Sequence, residues 1–408
     1  MTPSLPLSTL QLRSSAGLYG ADRMVLTLAR ALSDRGVASR LLSINNYRLP
    51  EQALHDAAHA CGQDSLLLPC QGRFDVRESW GGRSLLIDAN GNRISQYTSL
   101  AGTDNNCAGG ITPWGTWLTC EETEIKAGEA WSGNGKSGTY ALDHGYVFEV
   151  FADGTALPKP IKAFGRFAHE ALAIDKAKQH VFLSEDASGP NGLFYRWTAP
   201  RGFRMGPRLA DQLADDAGEL EAMQILMPDG SILPDVAYLT STQIGLPFKV
   251  TWKKVQDRDA KQTPIRKQFK DGEVTRGKKF EGVWGTDKGV YVVNSFAFSD
   301  GDLPADAVPH DGMVWFYDYE DETIQLVSYF PHQETGATGD APKYSDITFD
   351  GPDNVTVTPW GSLVLAEDGK GASHVLSATP HGPAQAIARN QLNDSEFCGP
   401  CFTDDGKV

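Results

Sequence analysis

Apolar positions recur at helical spacing near the amino end and alternate along short strands further on, and the change falls near residue 78. The run Ser8–Leu12 reads as a strand, followed by a glycine turn over Gly17–Asp22. Met24, Leu28 and Leu32 then stand four apart until Gly36, which predicts a helix ending near Arg35. Val37–Ile44 reads as the next strand, Pro50–Cys61 as a second helix and Ser65–Leu68 as a third strand. From Glu78 the helical period is lost. Short Val/Tyr/Phe/Trp runs alternate with Gly, Asp, Asn and Pro turns, an all-β pattern. One stretch within 207–272 departs from it: residues 210–226 read as a short helix, and residues 248–256 as a strand.

The β region repeats itself. Thr112-Pro113-Trp114-Gly115 returns as Thr358-Pro359-Trp360-Gly361, and in each copy a Glu (Glu121, Glu367) stands six residues after the Gly. Residues 170–185 and 281–294 fit the same template of strand, tight turn and returning strand, with a polar residue at both ends. An edge-type strand follows each unit, at 145–150, 192–197, 313–319 and 374–379, and 161–167 and 323–330 read as fourth strands. Four-stranded units repeated about an axis are propeller blades. A tight sandwich would also bury such hairpins, but it leaves the recurring acidic positions unexplained. The expected fold is mainly β, a β-propeller of about five to six blades with incomplete closure. Residues 84–100 resemble the outer two strands of a blade, and residues 396–408 the inner half of another, so the ring is expected to be truncated.

Composition narrows the function classes. Lys and Arg number 37 against 52 Asp and Glu, a formal net charge of −15. That balance argues against nucleic acid as a partner, because phosphate backbones need a basic face. No apolar run approaches the roughly 18 residues of a membrane span, and the amino end carries no readable export signal, a cytoplasmic pattern as written. Six Cys in 408 residues are too few for a disulfide scaffold.

Aligning the repeats on their turns starts the innermost strands at Cys107, Glu170, Glu281 and Asn354, with Asp353 beside it and Glu396 in a looser, broken unit. In a propeller these positions converge on one mouth of the central channel. Carboxylates and a thiolate gathered there repel one another unless cations bind among them. Oxygen-rich sites suit calcium, and one thiolate among carboxylates adds a preference for a transition metal such as iron. Any one of these Glu taken singly reads better as a solvated channel-lining residue, and it is the set in register that points to metal. Cys398-Gly399-Pro400-Cys401 spells a redox-type pair, but nothing after Cys401 resembles the helix that chemistry requires. Trp114, Trp284 and Trp360 fall near turns and read as packing between units.

Two resemblances sharpen this picture. The segments at 12–44 and 68–76 resemble the start of the two-Rossmann-domain glycosyltransferases, which implies a Rossmann-like α/β fragment over 1–77 and a β domain over 78–408. The glycosyltransferase activity does not carry over, since nothing like that family's second half follows. The run from Asp104 through Cys107 and the first TPWG to Glu121 and Glu122 resembles the signature of the PhoX-type alkaline phosphatases, and further segments match in order to the carboxyl end. That resemblance implies a propeller with an iron and calcium cluster that hydrolyses phosphomonoesters. It makes Cys107 a thiolate ligand to iron and Glu170 and Glu281 carboxylates shared by iron and calcium. Glu121 or Glu122, Asp353, Asn354 and Glu396 become calcium ligands. Arg166, His169 and Lys279 become the phosphate-clamping side chains, with Lys279 where the family has an Arg. The implied partner is a small phosphate ester, bound by a monomer whose activity the missing strands would impair, and the family is typically exported. The competing reading is a non-catalytic propeller used as a binding platform.

Overall fold

The computed structural model describes residues 8–14, 38–46, 64–70, 83–87, 93–133, 136–152, 154, 158–298, 301–332, 349–369, 373–390 and 396–402. Among them the chain is mainly antiparallel β, and the longest α-helix is the single turn Leu209–Gln212. At the amino end Ser8–Ser14, Ala38–Asn46 and Asp64–Cys70 form a parallel sheet in chain order, where the apolar runs place strands. The two helices expected between them lie outside the described residues. Arg83–Ile87 and Arg93–Thr98 form an antiparallel hairpin.

The rest is a series of meanders. Gly110–Ile111, Trp117–Cys120 and Val147–Val150 make a three-stranded sheet. His169–Asp175, His180–Glu185, Gly192–Thr198 and Glu219–Leu226 make a four-stranded one. Phe280–Gly285, Gly289–Asn294, His310–Asp318 and Thr323–Pro331 make the next, and Pro352–Val357, Leu363–Glu367, His374–Ala378 and Ala384–Arg389 the last. Phe248–Lys254 pairs with Glu219–Leu226 on one side and Thr323–Pro331 on the other, joining the two middle meanders edge to edge.

Strand alternation decides how the sheets stack. Successive side chains point to opposite faces, so Leu172, Val181 and Leu183 enter one core with Leu118, Val147 and Trp197. Ala171, Ala173 and Phe182 enter the next core with Val283, Val290 and Trp315. Val293 and Val314 enter a third with Val355, Leu363 and Leu365. Each fully buried side chain of this size contributes about 1.5–3 kcal/mol. The first strands of the meanders meet side by side, His169–Asp175 against Phe280–Gly285 and Phe280–Gly285 against Pro352–Val357.

Both TPWG copies fold alike. The Thr112 and Thr358 hydroxyls accept the N–H of Thr116 and Ser362 at 2.9 Å each, and Gly115 and Gly361 supply the left-handed residue at φ +82° and +90°.

Two sequence expectations are corrected. Of the helix expected within 210–226 only the turn Leu209–Gln212 is helical, and Glu219–Leu226 is a strand, because its alternate residues fill two cores, Leu220 and Ala222 on one side and Met223 and Ile225 on the other. Tertiary packing outweighs local propensity there. The stretch 161–167 is no strand but a 3₁₀ turn, Lys162–Phe164, ended by Gly165 at φ +93°.

Candidate metal centre

A β-bulge marks the start of the inner strand in each of the three four-stranded meanders. His169 pairs with Glu185 and Leu172 with Leu183, so one extra residue lies around Glu170. The register slips likewise around Glu281, between Phe280 and Val283, and around Asp353, between Pro352 and Asn354. In the first meander Asn106 bridges Glu121 while Gly110 pairs with Leu118, leaving the same single-residue surplus around Cys107. Bulges re-aim side chains next to functional sites, and here they turn one thiol and three carboxylates into a common cavity of about 820 Å³.

Three of the four returning strands end in acidic doublets whose two members do different work, while Gly289–Asn294 ends in Asn294 and Ser295. Glu121 is fully buried, and its carboxylate accepts the N–H of Asp104 at 2.8 Å, Gly145 at 2.7 Å and Tyr146 at 3.1 Å, with His144 Nδ1 at 2.7 Å. Glu185 accepts the N–H of Leu193 at 3.2 Å and the Tyr195 hydroxyl at 2.7 Å. Glu367 accepts the N–H of Asp350 at 2.9 Å and of His374 at 2.7 Å. These three fasten the crossover into the third strand. The residue after each one, Glu122, Asp186 and Asp368, faces the cavity instead.

The cavity thus gathers seven carboxylates, Glu122, Glu170, Asp186, Glu281, Asp353, Asp368 and Glu396, beside the Cys107 thiol. Lys279 is the one basic side chain among the described residues lining it. Three ligand groups form a chain: Cys107, Glu122 and Glu170, then Glu170, Glu281 and Asp353, then Asp353, Asp368 and Glu396. Within each group one donor atom per residue lies within 4.8 Å of the others. Cys107 Sγ is 3.1 Å from Glu170 Oε1. Lys279 Nζ lies 3.1 Å from Asp186 Oδ2 and 3.2 Å from Glu281 Oε1.

Without cations this crowding disfavours ionisation. Burial, then the neighbouring Asp186, pushes Glu122 up to about 7, and burial with Asp368 and Glu396 pushes Asp353 up to about 7. Glu170 and Glu281 are driven well above the usual carboxylate range by burial first and by the surrounding carboxylates next. Burial and Glu170 raise the Cys107 thiol. Burial works against the Lys279 ammonium, but Glu281 and Asp186 outweigh it and keep Lys279 charged. One ammonium against seven carboxylates and the Cys107 thiol, the one thiol that falls in a ligand group among the described residues, is a donor set that fits oxygen-loving cations and one softer metal.

Several expected site residues stand elsewhere. Glu121 faces away from the cavity, as described. Arg166 is buried with its guanidinium spent on backbone carbonyls: Asp259 O at 3.0 Å, Glu124 O at 3.1 Å and Ala260 O at 2.7 Å. His169 is fully buried, stacks on Phe167 and has Nε2 3.1 Å from Gly165 O; burial lowers its pKa to about 3. Neither lines the cavity, and Lys279 does. Asn354 lines it but spends Oδ1 on the Gly399 N–H at 2.6 Å, which seats the segment carrying Glu396. Cys398 and Cys401 line the same cavity on a stretch without helix. Trp114 is tied to Glu149 Oε1 at 2.8 Å, whereas Trp360 is 69% exposed and meets Phe402. Asp186 and Asp368 were missed by the sequence reading, although each follows a repeat Glu as the second half of a Glu-Asp doublet.

A mainly β protein of stacked antiparallel meanders, whose bulged inner strands deliver a thiol and carboxylates to one cavity, is the class defined by these features. The family model described as alkaline phosphatase PhoX matches residues 81–408, and the chain belongs to that family. Among solved structures, Pseudomonas fluorescens PhoX in complex with vanadate, a transition state analogue, is similar at 20% identity and a TM-score of 0.45. That match covers 74% of this chain and 62% of the other. No curated protein sequence matches the chain. No helix among the described residues is long and apolar enough to cross a membrane.

Proposed function

We propose that this chain is a metal-dependent phosphomonoesterase whose meanders are the blades of a propeller of five to six blades, with an iron and calcium cluster at the mouth of its channel. The carrying observation is the chain of three ligand groups, in which Glu170 and Asp353 each belong to two. In this reading Cys107, Glu122 and Glu170 would hold the softer metal, and Glu281, Asp353, Asp368 and Glu396 would hold calcium. Residues 1–77 are a separate Rossmann-like piece, and residues 78–408 form the phosphatase domain.

Bound metals would supply the positive charge that neutralises the phosphate oxygens and activates the attacking nucleophile. The protein's own part is placement. The bulges fix the ligands on rigid strands, and the buried Glu121, Glu185 and Glu367 hold the strand ends from which Glu122, Asp186 and Asp368 project. Lys279 adds one directed positive charge, a point charge without the paired donors of an arginine. Arg166 serves the scaffold by joining 257–260 to 124 and 144 rather than clamping phosphate. The substrate is a small phosphate ester, acted on by a monomer.

Hydrolysis of p-nitrophenyl phosphate, with and without chelator, in wild type and Cys107→Ala, tests the reading. Turnover should be lost on chelation and fall at least about 100-fold in the variant, the range for disturbed metal ligation. Full activity in either arm overturns it, and a folded protein with neither activity nor metal favours the binding platform.

A further inference from the structure

We infer that the apolar ledge formed by Ile111, Trp117 and Trp284 receives the leaving group of the substrate, and that this group is aromatic. The inference rests on the phosphatase reading and extends it to substrate class. Ile111 and Trp117 stand directly opposite each other on the first hairpin and are 62% and 40% exposed. Neither belongs to a hydrophobic core cluster among the described residues. Trp284 comes from the inner strand Phe280–Gly285, beyond the intervening strand His169–Asp175; it stands three residues after Glu281, is half-buried and packs against the third core.

All three line the carboxylate cavity and also a second cavity of about 580 Å³ that adjoins it. They are common to both linings. The first cavity carries seven carboxylates and a single ammonium, and the second is also lined by Asp175, Lys176 and Asp287. A phosphate held at the acidic end through bound cations leaves the ester's organic part against indole and aliphatic surface. Flat aromatic groups gain stacking and apolar burial on such surface, whereas a polyol gains neither. In the reaction the bond from phosphorus to the aryl oxygen breaks, a bond from phosphorus to a water oxygen forms, and the proton released by water ends on the aryl oxygen or the phosphate. The products are a phenol and inorganic phosphate.

The test compares kcat/KM for 1-naphthyl phosphate and for glycerol 2-phosphate in the full chain, with Trp117→Ala, Ile111→Ser and Trp360→Ala. Trp360 is the control, an exposed indole that lines neither cavity. Trp117→Ala should lower the naphthyl value about five- to tenfold through KM, as expected for a lost aromatic contact. It should move the glycerol value less than about twofold, and Ile111→Ser should act in the same sense with Trp360→Ala inert. Equal losses on both substrates, or no loss on either, overturn the inference. A second arm is independent of turnover: saturation-transfer NMR of 1-naphthol with the protein as purified. Naphthol signals that saturate with wild type and not with Trp117→Ala support the ledge even if no ester is hydrolysed, in which case the phosphatase reading alone fails. Saturation unchanged by Trp117→Ala, or absent from wild type, counts against the ledge even if hydrolysis is robust.

Discussion

Adjacent glutamates at 121 and 122 belong to different systems, and substitution separates them. Glu121 has no exposed surface and satisfies three backbone N–H groups. Glu121→Ala leaves those donors buried without partners and should lower unfolding free energy by about 3 kcal/mol, read by denaturant unfolding. Burial first, and next repulsion from Asp186, drives the Glu122 pKa up to about 7. Glu122→Gln removes that repulsion, so the metal-stripped protein should gain about 1 kcal/mol. The same variant should bind metal more weakly, measured by titration calorimetry. If the two variants behaved alike, the division of the doublet into fastener and ligand would be wrong. A sequence shows both residues as acidic positions in a repeat; which one turns inward depends on strand pleat and on the bulge opposite, and neither is written in residue type. For the same reason Asp186 and Asp368 escaped notice while Glu121 was counted as a ligand. His169 stands beside Glu170 on the same strand and faces the opposite side, whereas Arg166 precedes that strand and turns its guanidinium to the Asp259 and Ala260 carbonyls.

At the level of strands, the inner hairpins must approach one another closely to bring Glu170, Glu281 and Asp353 within reach of one ion. Gly282 makes this possible: a Cβ there would lie 2.6 Å from Asp353 O and 2.8 Å from Asn354 Cα. Both obstacles are backbone, so a side chain can be accommodated only by moving one inner strand away from the other. Gly282→Ala should therefore cost about 1–3 kcal/mol of stability and weaken metal binding about 10- to 100-fold, measured by thermal unfolding with and without calcium. Unchanged affinity would show that strand spacing does not set the site. The hairpins themselves were legible from the duplicated TPWG turn and the polar residues at both strand ends. The strand Glu219–Leu226 was not, because its Glu, Leu, Ala and Met content favours helix and only its place between two cores selects the extended form.

Across the whole molecule, stacked meanders bring residues more than 200 positions apart into one cavity, from Cys107 on the first to Asp353 on the last. The repeat made that convergence readable in advance for the inner-strand starts, since equivalent positions in repeated units must meet wherever the units share an axis. The proposed function also accounts for how a chain of net charge −15 would receive an anion: the cavity's negative charge would recruit cations, which would then present positive charge to a phosphate. Elemental analysis of the purified full chain by mass spectrometry, for wild type and Glu170→Gln, probes this most directly. Wild type should carry iron and calcium in fixed ratio to protein, and loss of the carboxylate shared by two ligand groups should deplete both. Folded wild-type protein that holds neither metal after equilibration with both, or a variant that keeps its full complement, would contradict the account.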